Sequence, residues 1–381
     1  MSNIIQDIKL RDWEEEYINI NPLQTGGRTY PETRKAIISY IDGYSTCDWC
    51  KGALGITDKP PIREFLDEVS KFLGMDYTML TNGCREAKFA VLHALTNPGD
   101  SVVIDGNKHY TTYVAAERAR VRIYEVPSNG YPEYRIKPED YVTVIENVKK
   151  ETRLLPKLVF LTHVDGNYGN LVDAEKVAEI CKEYNVPFLL NTAYSSGRMP
   201  VNGKKIGADF IACSGHKSWA AGGGNIGLLS VSEQWKDKAI EYSKKYKVKP
   251  IEIIGCSSRG SSTLALMASF PHVKERVKYW DKEVENSRWL MKELEAIGIN
   301  QLGVKPTEHD LNFVESEKLF KISETHKKKH FYLYYELKDR GIVGIKAGLT
   351  KNFKFSTYGK TKEQIKHISW AFKDIVEKFA K

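Results

Sequence analysis

Ser214-Gly215-His216-Lys217 closes an apolar run, Ala208-Asp209-Phe210-Ile211-Ala212-Cys213, and a glycine-rich stretch from Gly222 to Gly227 follows. A lysine at the mouth of a buried strand is desolvated, and desolvation disfavours its ammonium form. The neutral amine is a nucleophile toward carbonyls. A lysine after a strand is also an ordinary solvated turn residue. The tetrapeptide gains its meaning from what stands upstream.

Four further segments fall after apolar runs. In Thr81-Asn82-Gly83-Cys84-Arg85-Glu86-Ala87, a glycine turn opens a helix whose first amides are free to hold a phosphate. Asp105-Gly106-Asn107-Lys108-His109-Tyr110 places a histidine where it can lie flat on an aromatic ring. Thr162 to Asn170 contains Asn167, a donor for a phenolate oxygen. Phe188-Leu189-Leu190-Asn191 ends in a polar side chain that can reach a pyridine nitrogen. Each segment alone also reads as a plain turn, cap or strand end. Their order, with the lysine last, describes a site for pyridoxal phosphate (PLP).

Those segments need elements to position them. Strand patterns run over Tyr77–Thr81, Ser101–Ile104, Leu158–Thr162, Val186–Asn191, Ala208–Cys213 and Ile226–Ser230, with helical patterns over Arg85–Leu95, His109–Ala119 and Ala174–Tyr184. Asp173 is the expected N-cap of the last of these. Alternation of strand and helix predicts an α/β fold with a mostly parallel sheet covered on both faces. The last third predicts one long helix over Val273–Ile297, strands at Asp310–Glu315, Ile342–Lys346 and Phe353–Ser356, and helices at Lys328–Arg340 and Thr361–Ala380. That pattern is α+β. Two domains are expected: 1–250, a large domain with an N-terminal extension, and 251–381, a smaller C-terminal one.

The chain has 381 residues, 41% hydrophobic and 28% charged, with a formal net charge of +8. This is the composition of an ordinary globular protein. Lysine clusters at 244–249, 326–330 and the C-terminal tail suit a polyanionic partner or simply solvated faces. No run approaches a membrane span, and the polar first sixteen residues lack a signal-peptide core. The expected location is the cytoplasm. Six cysteines in such a chain argue against a disulfide framework. Cys181 and Cys213 fit core positions, whereas Cys47 and Cys50 are spaced as a redox or metal-binding pair.

The ordered segments resemble the fold-type I PLP enzymes, in the branch that includes cysteine desulfurases. Asn21 to Arg28, the Cys47/Cys50 pair, Asn191 and Ser214-Gly215-His216-Lys217 narrow the resemblance to the Sep-tRNA:Cys-tRNA synthases. These archaeal enzymes convert O-phosphoseryl-tRNA(Cys) to cysteinyl-tRNA(Cys). The resemblance implies that Lys217 carries the cofactor and acts as base at the α-carbon. It puts the cofactor phosphate at the amides of Cys84 and Arg85, beside Ser214, Gly215 and His216. It stacks His109 on the ring, sets Asn167 on the ring oxygen and Asn191 on the ring nitrogen. Arg85, His109 and Tyr110 would meet the substrate phosphate, with Arg259 a further candidate. Cys47, Cys50 and Cys256 would carry sulfur, as a persulfide or on an iron–sulfur cluster. Arg259 to Thr263 would reach the neighbour's cofactor phosphate in a homodimer, with Cys256 acting in cis or in trans. Implied partners are the charged tRNA, a sulfur donor and the phosphoseryl-tRNA synthetase. Asn191 departs from the wider fold type, which places an aspartate there. Two rival readings remain at this point: a cysteine desulfurase or selenocysteine lyase, and a non-catalytic RNA-binding scaffold.

Overall fold

The computed structural model describes residues 17–21, 29–42, 60–222, 224–247, 249–253 and 260–380. The large sheet has seven strands: β1 (Tyr77–Thr81), β2 (Ser101–Asp105), β3 (Arg122–Val126), β4 (Leu158–Thr162), β5 (Phe188–Asn191), β6 (Phe210–Ser214) and β7 (Gly227–Val231). Their spatial order is β1-β7-β6-β5-β4-β2-β3. Only β7 runs against its neighbours, β1 and β6; every other pairing is parallel.

Five of these strands, β2, β4, β5, β6 and β7, are buried along their whole length. Such strands read as continuous apolar runs because helices cover both faces. Alternate residues serve opposite cores. Val102, Ile104, Phe210 and Ala212 pack with Ala87, Ala90 and Val91 on one side. Val103, Ile211 and Cys213 pack with Phe65, Leu66 and Val69 on the other. The helices concerned are α1 (Pro31–Ser39), α2 (Ile62–Leu73), α3 (Cys84–Leu95), α4 (Tyr110–Ala119), α5 (Asp140–Thr152) and α6 (Ala174–Glu183). α2 buries Ile62, Phe65, Leu66, Val69 and Leu73, the i, i+3, i+4 stripe of an amphipathic helix. It ends on Gly74 at φ +61°, the left-handed cap glycine adopts without strain.

The C-terminal third departs from the sequence pattern. The long helix expected over Val273–Ile297 is two helices, α7 (Gly260–Arg276) and α8 (Trp280–Glu295), separated by a single 3₁₀ turn at Val277–Tyr279. α7 starts earlier than its apolar pattern shows, and Pro271 lies within it. Its Ala265, Leu266, Phe270 and Val273 join the core of the large sheet, although they follow the expected boundary near residue 250. A three-stranded antiparallel sheet, β8 (Asn300–Leu302), β9 (Leu311–Glu315) and β10 (Asn352–Ser356), has β9 at its centre. It packs with Leu290, Leu294, Phe372 and Ile375 into a separate core. The expected strand at Ile342–Lys346 shrinks to Ile342–Val343, which pairs in parallel with Ile18–Asn19 instead of joining that sheet.

One ion pair joins the two layers. Arg198, in the loop after β5, donates through Nη1 to Asp310 Oδ1 at 2.5 Å, and both side chains have no solvent exposure. Burial raises the Asp310 carboxyl, but Arg198 and the adjacent His309 together outweigh this and hold it at about 2. Arg198 Nε also donates to Ser218 Oγ at 2.9 Å, next to Lys217. Breaking a buried pair strands an uncompensated charge, at a cost of about 3–5 kcal/mol. Asp310→Ala is expected to lower unfolding stability by that amount in urea titrations. The double variant Arg198→Met/Asp310→Leu should lose less than Asp310→Ala alone, and a larger loss in the double variant would contradict the charge account.

Candidate active site

The strand ends of the large sheet converge on a cleft of about 420 Å³. Gly83, at φ +121°, turns the chain from β1 into α3. No side chain caps α3, so its first-turn amides remain for an anion. Gly227 opens β7 against this turn. A Cβ at Gly227 would lie 2.5 Å from the Gly83 carbonyl carbon, so only glycine lets the strand pass.

Lys217 follows β6 by three residues and lines the cleft. Its Nζ lies 4.6 Å from the Tyr194 ring centroid. Burial pushes its ammonium below the ordinary lysine value; Cys84 opposes the shift and Arg198 adds to it. A lysine so placed holds its free amine more readily than a solvated one.

His109 is the N-cap of α4, accepting the Thr111 amide. Burial lowers it to about 3, helped by the positive charges of Lys217, Lys88 and Lys354. It is therefore a neutral imidazole at physiological pH. Tyr110, 62% exposed, stands beside it with ring centroids 4.4 Å apart. Arg85 also lines the cleft, its guanidinium 5.5 Å from the Phe89 centroid, and it has no ion-pair partner among the described residues.

Asn191, at the end of β5, accepts through Oδ1 from the Cys84 thiol at 3.1 Å and from the Ala193 amide at 3.2 Å. Those contacts fix its amide plane and leave Nδ2 for the cleft. Burial raises the Cys84 thiol, so Cys84 is a neutral packing group whose amide serves α3. His216 Nδ1 bonds the Ile226 carbonyl at 3.2 Å and its Nε2 faces Ser214 Oγ at 3.3 Å. Gly215 lies within this loop, where an added Cβ would meet Ile226 and Leu266 at 2.8 and 3.0 Å.

Two expected cofactor contacts sit apart from the cleft lining. Asn167 donates to the Asn107 carbonyl at 3.3 Å and accepts from Lys354 at the same distance; its neighbour Gly166 lines the cleft in its place. Thr263, on α7, is fully buried within its own chain with an unpartnered hydroxyl. Cys47, Cys50, Cys256 and Arg259, with Pro22 to Arg28, lie outside the described residues. Among the described residues no three His, Cys, Asp or Glu side chains could hold a metal.

Sequence reasoning missed several side chains that shape the site. Lys88 is buried beside His109 on α3. Tyr194 lies under Lys217, and Lys354 reaches in from β10 to the Gly166 carbonyl at 2.9 Å. A lysine in a helix carries no local signal of burial. The Lys354 contact spans 188 residues of chain, beyond any short motif.

The donor set fits PLP. An uncapped helix N-terminus suits its phosphate, and a desolvated amine suits its aldehyde. A neutral amide suits the ring nitrogen, and a neutral imidazole can lie on the ring. The mixed seven-stranded sheet, the small antiparallel sheet and the lysine past β6 define a fold-type I PLP enzyme. A serine palmitoyltransferase solved with PLP shares this fold (TM-score 0.72, 16% identity, 95% of this chain and 88% of that one). So does a cysteine desulfurase from Thermococcus onnurineus NA1 (TM-score 0.74, 18% identity, 98% and 99%). These two likenesses concern the fold alone.

The profile of the family described as O-phosphoseryl-tRNA(Sec) selenium transferase, SepSecS, matches residues 92–372. The O-phospho-L-seryl-tRNA:Cys-tRNA synthase of Methanococcus aeolicus is 52% identical over 367 residues, 96% of this chain and 95% of its own. The crystal structure of a SepCysS–SepCysE N-terminal domain complex superposes with a TM-score of 0.90 at 49% identity, covering 98% of this chain and 100% of that one. The chain belongs to the O-phospho-L-seryl-tRNA:Cys-tRNA synthase family.

A pH dependence follows from the neutral His109. Its folded value, about 3, lies below the unfolded value of about 6.5. Between the two the unfolded chain binds a proton that the folded chain refuses, so this contribution falls as pH drops from 6.5 toward 3. Between pH 7 and pH 5 these values correspond to ~2 kcal/mol, and with the ring partly screened by solvent wild type is expected to lose ~1 kcal/mol more stability than His109→Gln. Urea midpoints at both pH values measure it, and identical losses would show that His109 titrates normally.

Proposed function

We infer that this chain converts O-phosphoseryl-tRNA(Cys) to cysteinyl-tRNA(Cys), with PLP, in the cleft around Lys217. The observation that carries the reading is a desolvated Lys217 facing an uncapped helix N-terminus, in a chain half identical to synthases of this activity over nearly its whole length. When bound, PLP supplies an electron sink that labilises the α-proton and lets the β-phosphate leave.

The chain's own groups divide the remaining work. Lys217 Nζ holds the cofactor and then takes the α-proton. The Cys84 and Arg85 amides hold the cofactor phosphate, with Ser214, Gly215 and His216 packed alongside. His109 would hold the face of the cofactor ring and Asn191 would bond its nitrogen. Asn167, in the same loop as Gly166, is the group we assign to the ring oxygen, a role that requires its amide to leave Asn107 and Lys354. Arg85, His109 and Tyr110 receive the departing phosphate, and the guanidinium fork matches its oxygens better than an ammonium would. Cys47, Cys50 and Cys256 are the thiols we assign to sulfur delivery; the relatives lend no support to an iron–sulfur cluster on them.

A neutral asparagine holds the pyridine nitrogen less firmly protonated than an aspartate does. The weaker electron sink suffices because phosphate is a good leaving group, and it limits side reactions.

The partners follow the same reading: the charged tRNA, a sulfur donor, the phosphoseryl-tRNA synthetase and a second copy of this chain. Thr263 belongs to the segment we assign to the dimer contact. The complex known for the 49% identical relative adds a SepCysE-like protein. No described helix is long and apolar enough to cross a membrane, which agrees with work on tRNA in the cytoplasm. We propose the division into residues 1–250 and 251–381 with two crossings: α7 packs on the large sheet, and Ile18–Asn19 pairs with Ile342–Val343.

The test is anaerobic incubation of the PLP-loaded protein with phosphoseryl-tRNA and sulfide, followed by identification of the attached amino acid. Cysteine is expected from wild type, and Lys217→Ala should lower the yield by ~10³-fold or more. Arg85→Lys should lower kcat/KM by about 10- to 100-fold through loss of the bidentate fork. Alanine released from free cysteine, with no cysteinyl-tRNA, would indicate a desulfurase. Asn191→Asp is expected to add side products without faster phosphate release, measured by phosphate assay and mass spectrometry. Faster, clean elimination would refute the weak-sink account.

A further inference from the structure

We propose that Lys88 is a positioning residue that places the single ring proton of His109 on Nε2, making His109 a neutral hydrogen-bond donor to the substrate phosphate. The proposal rests on the reading above that His109 meets this phosphate.

Lys88 is a cation in the middle of α3 with 0% exposure. Its Nζ donates to Thr111 Oγ1 at 2.6 Å and to Thr112 Oγ1 at 3.0 Å. Among the described residues no carboxylate pairs with it. Burying a cation on neutral hydroxyls is costly, and a leucine or methionine would fill the same space without that penalty. The charge therefore has a task beyond packing.

The task follows from counting protons. An ammonium donates three hydrogen bonds and accepts none. Thr111 Oγ1 accepts from Lys88 with one of its two lone pairs, and the ammonium beside it polarises the hydroxyl to donate its own proton. His109 Nδ1 lies 2.9 Å from that oxygen. The Thr111 amide also points at Nδ1, at 3.4 Å. The amide can only donate, and the polarised hydroxyl adds to the same preference, so Nδ1 of the neutral ring is the acceptor and the proton sits on Nε2.

Without Lys88 the hydroxyl loses that polarisation and has both lone pairs free, so accepting a proton from Nδ1 competes with donating to it. The opposite tautomer would then be available, with a bare Nε2. A bare nitrogen repels a phosphate dianion, whereas an N–H stabilises the charge that grows as the C–O bond breaks. The same buried charge opposes protonation of the imidazole, so His109 does not become a competing cation. The charged or titratable groups acting on Lys88 are Cys84 and Arg85 from its own helix, Asp105 from β2 and Lys217 from the loop after β6. Burial brings the Lys88 ammonium down to about 8, so it remains charged at neutral pH.

The experiment is nitrogen-15 NMR of the PLP-loaded protein with labelled histidine, the His109 signals being assigned by their loss in His109→Gln. The expected wild-type spectrum at pH 7 shows an unprotonated Nδ1 and a protonated Nε2. Lys88→Met and Thr111→Val should each shift His109 toward mixed or reversed tautomers. Thr111→Ser, which keeps the relaying hydroxyl, should retain the wild-type pattern. Phosphate release from phosphoseryl-tRNA should fall about 10-fold or more in Lys88→Met, mostly in kcat. A protonated Nδ1 in wild type would overturn the proposal, as would an unchanged tautomer in Lys88→Met and Thr111→Val. The NMR readout needs no turnover. A wild-type protein that shows the expected tautomer but makes no cysteinyl-tRNA would refute the functional reading, and with it the phosphate-donor role, while the control of the tautomer by Lys88 would stand.

Discussion

The site depends on keeping one amine out of water. Lys217 can act only if its ammonium is disfavoured, and the fold achieves this by burial rather than by any single partner. The surroundings reinforce the effect. Lys88 and Lys354 are also desolvated, and Arg85 lines the same cleft. Several cations gathered around one small volume repel each other, and each keeps its neighbours' protons looser. Such a cleft is unfavourable while empty of anions. On the function we propose, a cofactor phosphate and a phosphorylated substrate would bring in the negative charge that it lacks. Binding energy and amine activation thus share one electrostatic origin.

This arrangement explains why His109 is neutral. An imidazolium would have been one cation too many beside Lys217, Lys88 and Lys354, and burial adds to the penalty. A neutral ring also stacks on a pyridine without the cost of burying a further charge. Asn191 follows the same economy. Its amide is fixed by Cys84 and the Ala193 backbone, with no carboxylate brought into the cleft floor.

Much of this was legible in the chain. β1, β2, β4 and their following helices came from apolar runs bounded by turns, because a sheet buried on both faces has no polar alternation to confuse the reading. Gly83, Asn191 and Lys217 fall where strand ends meet loops, the positions that carry function in this type of sheet. β3 was missed because it is the edge strand, with Arg122 and Glu125 exposed, so its pattern is not apolar. The break between α7 and α8 was missed because helical propensity runs through Val277–Tyr279, and only packing against two different cores turns the chain there. Lys88 and Arg198 defeat sequence reading for one physical reason. Buried charges look like surface charges until their long-range partners are known.

Arg198 shows what the C-terminal layer contributes. Asp310, at the start of β9, neutralises it, while its Nε holds the hydroxyl of Ser218. Arg276 reaches the same Ser218 carbonyl that the Tyr358 hydroxyl bonds. Ser218, the residue after Lys217, is thus clamped from both layers. The large sheet could place Lys217 at a strand end unaided, but its backbone would be free to lean with the loop. A buried ion pair is a poor source of net stability, and its value here lies in direction. It defines one angle between a strand end and a separate core, and so defines where Nζ points. Lys354, reaching from β10 to the Gly166 carbonyl, makes a second such tie on the opposite wall. Chemistry that requires an amine, a ring and a phosphate to align within a fraction of an ångström therefore needs the small layer as part of the site, not as an appendage to it.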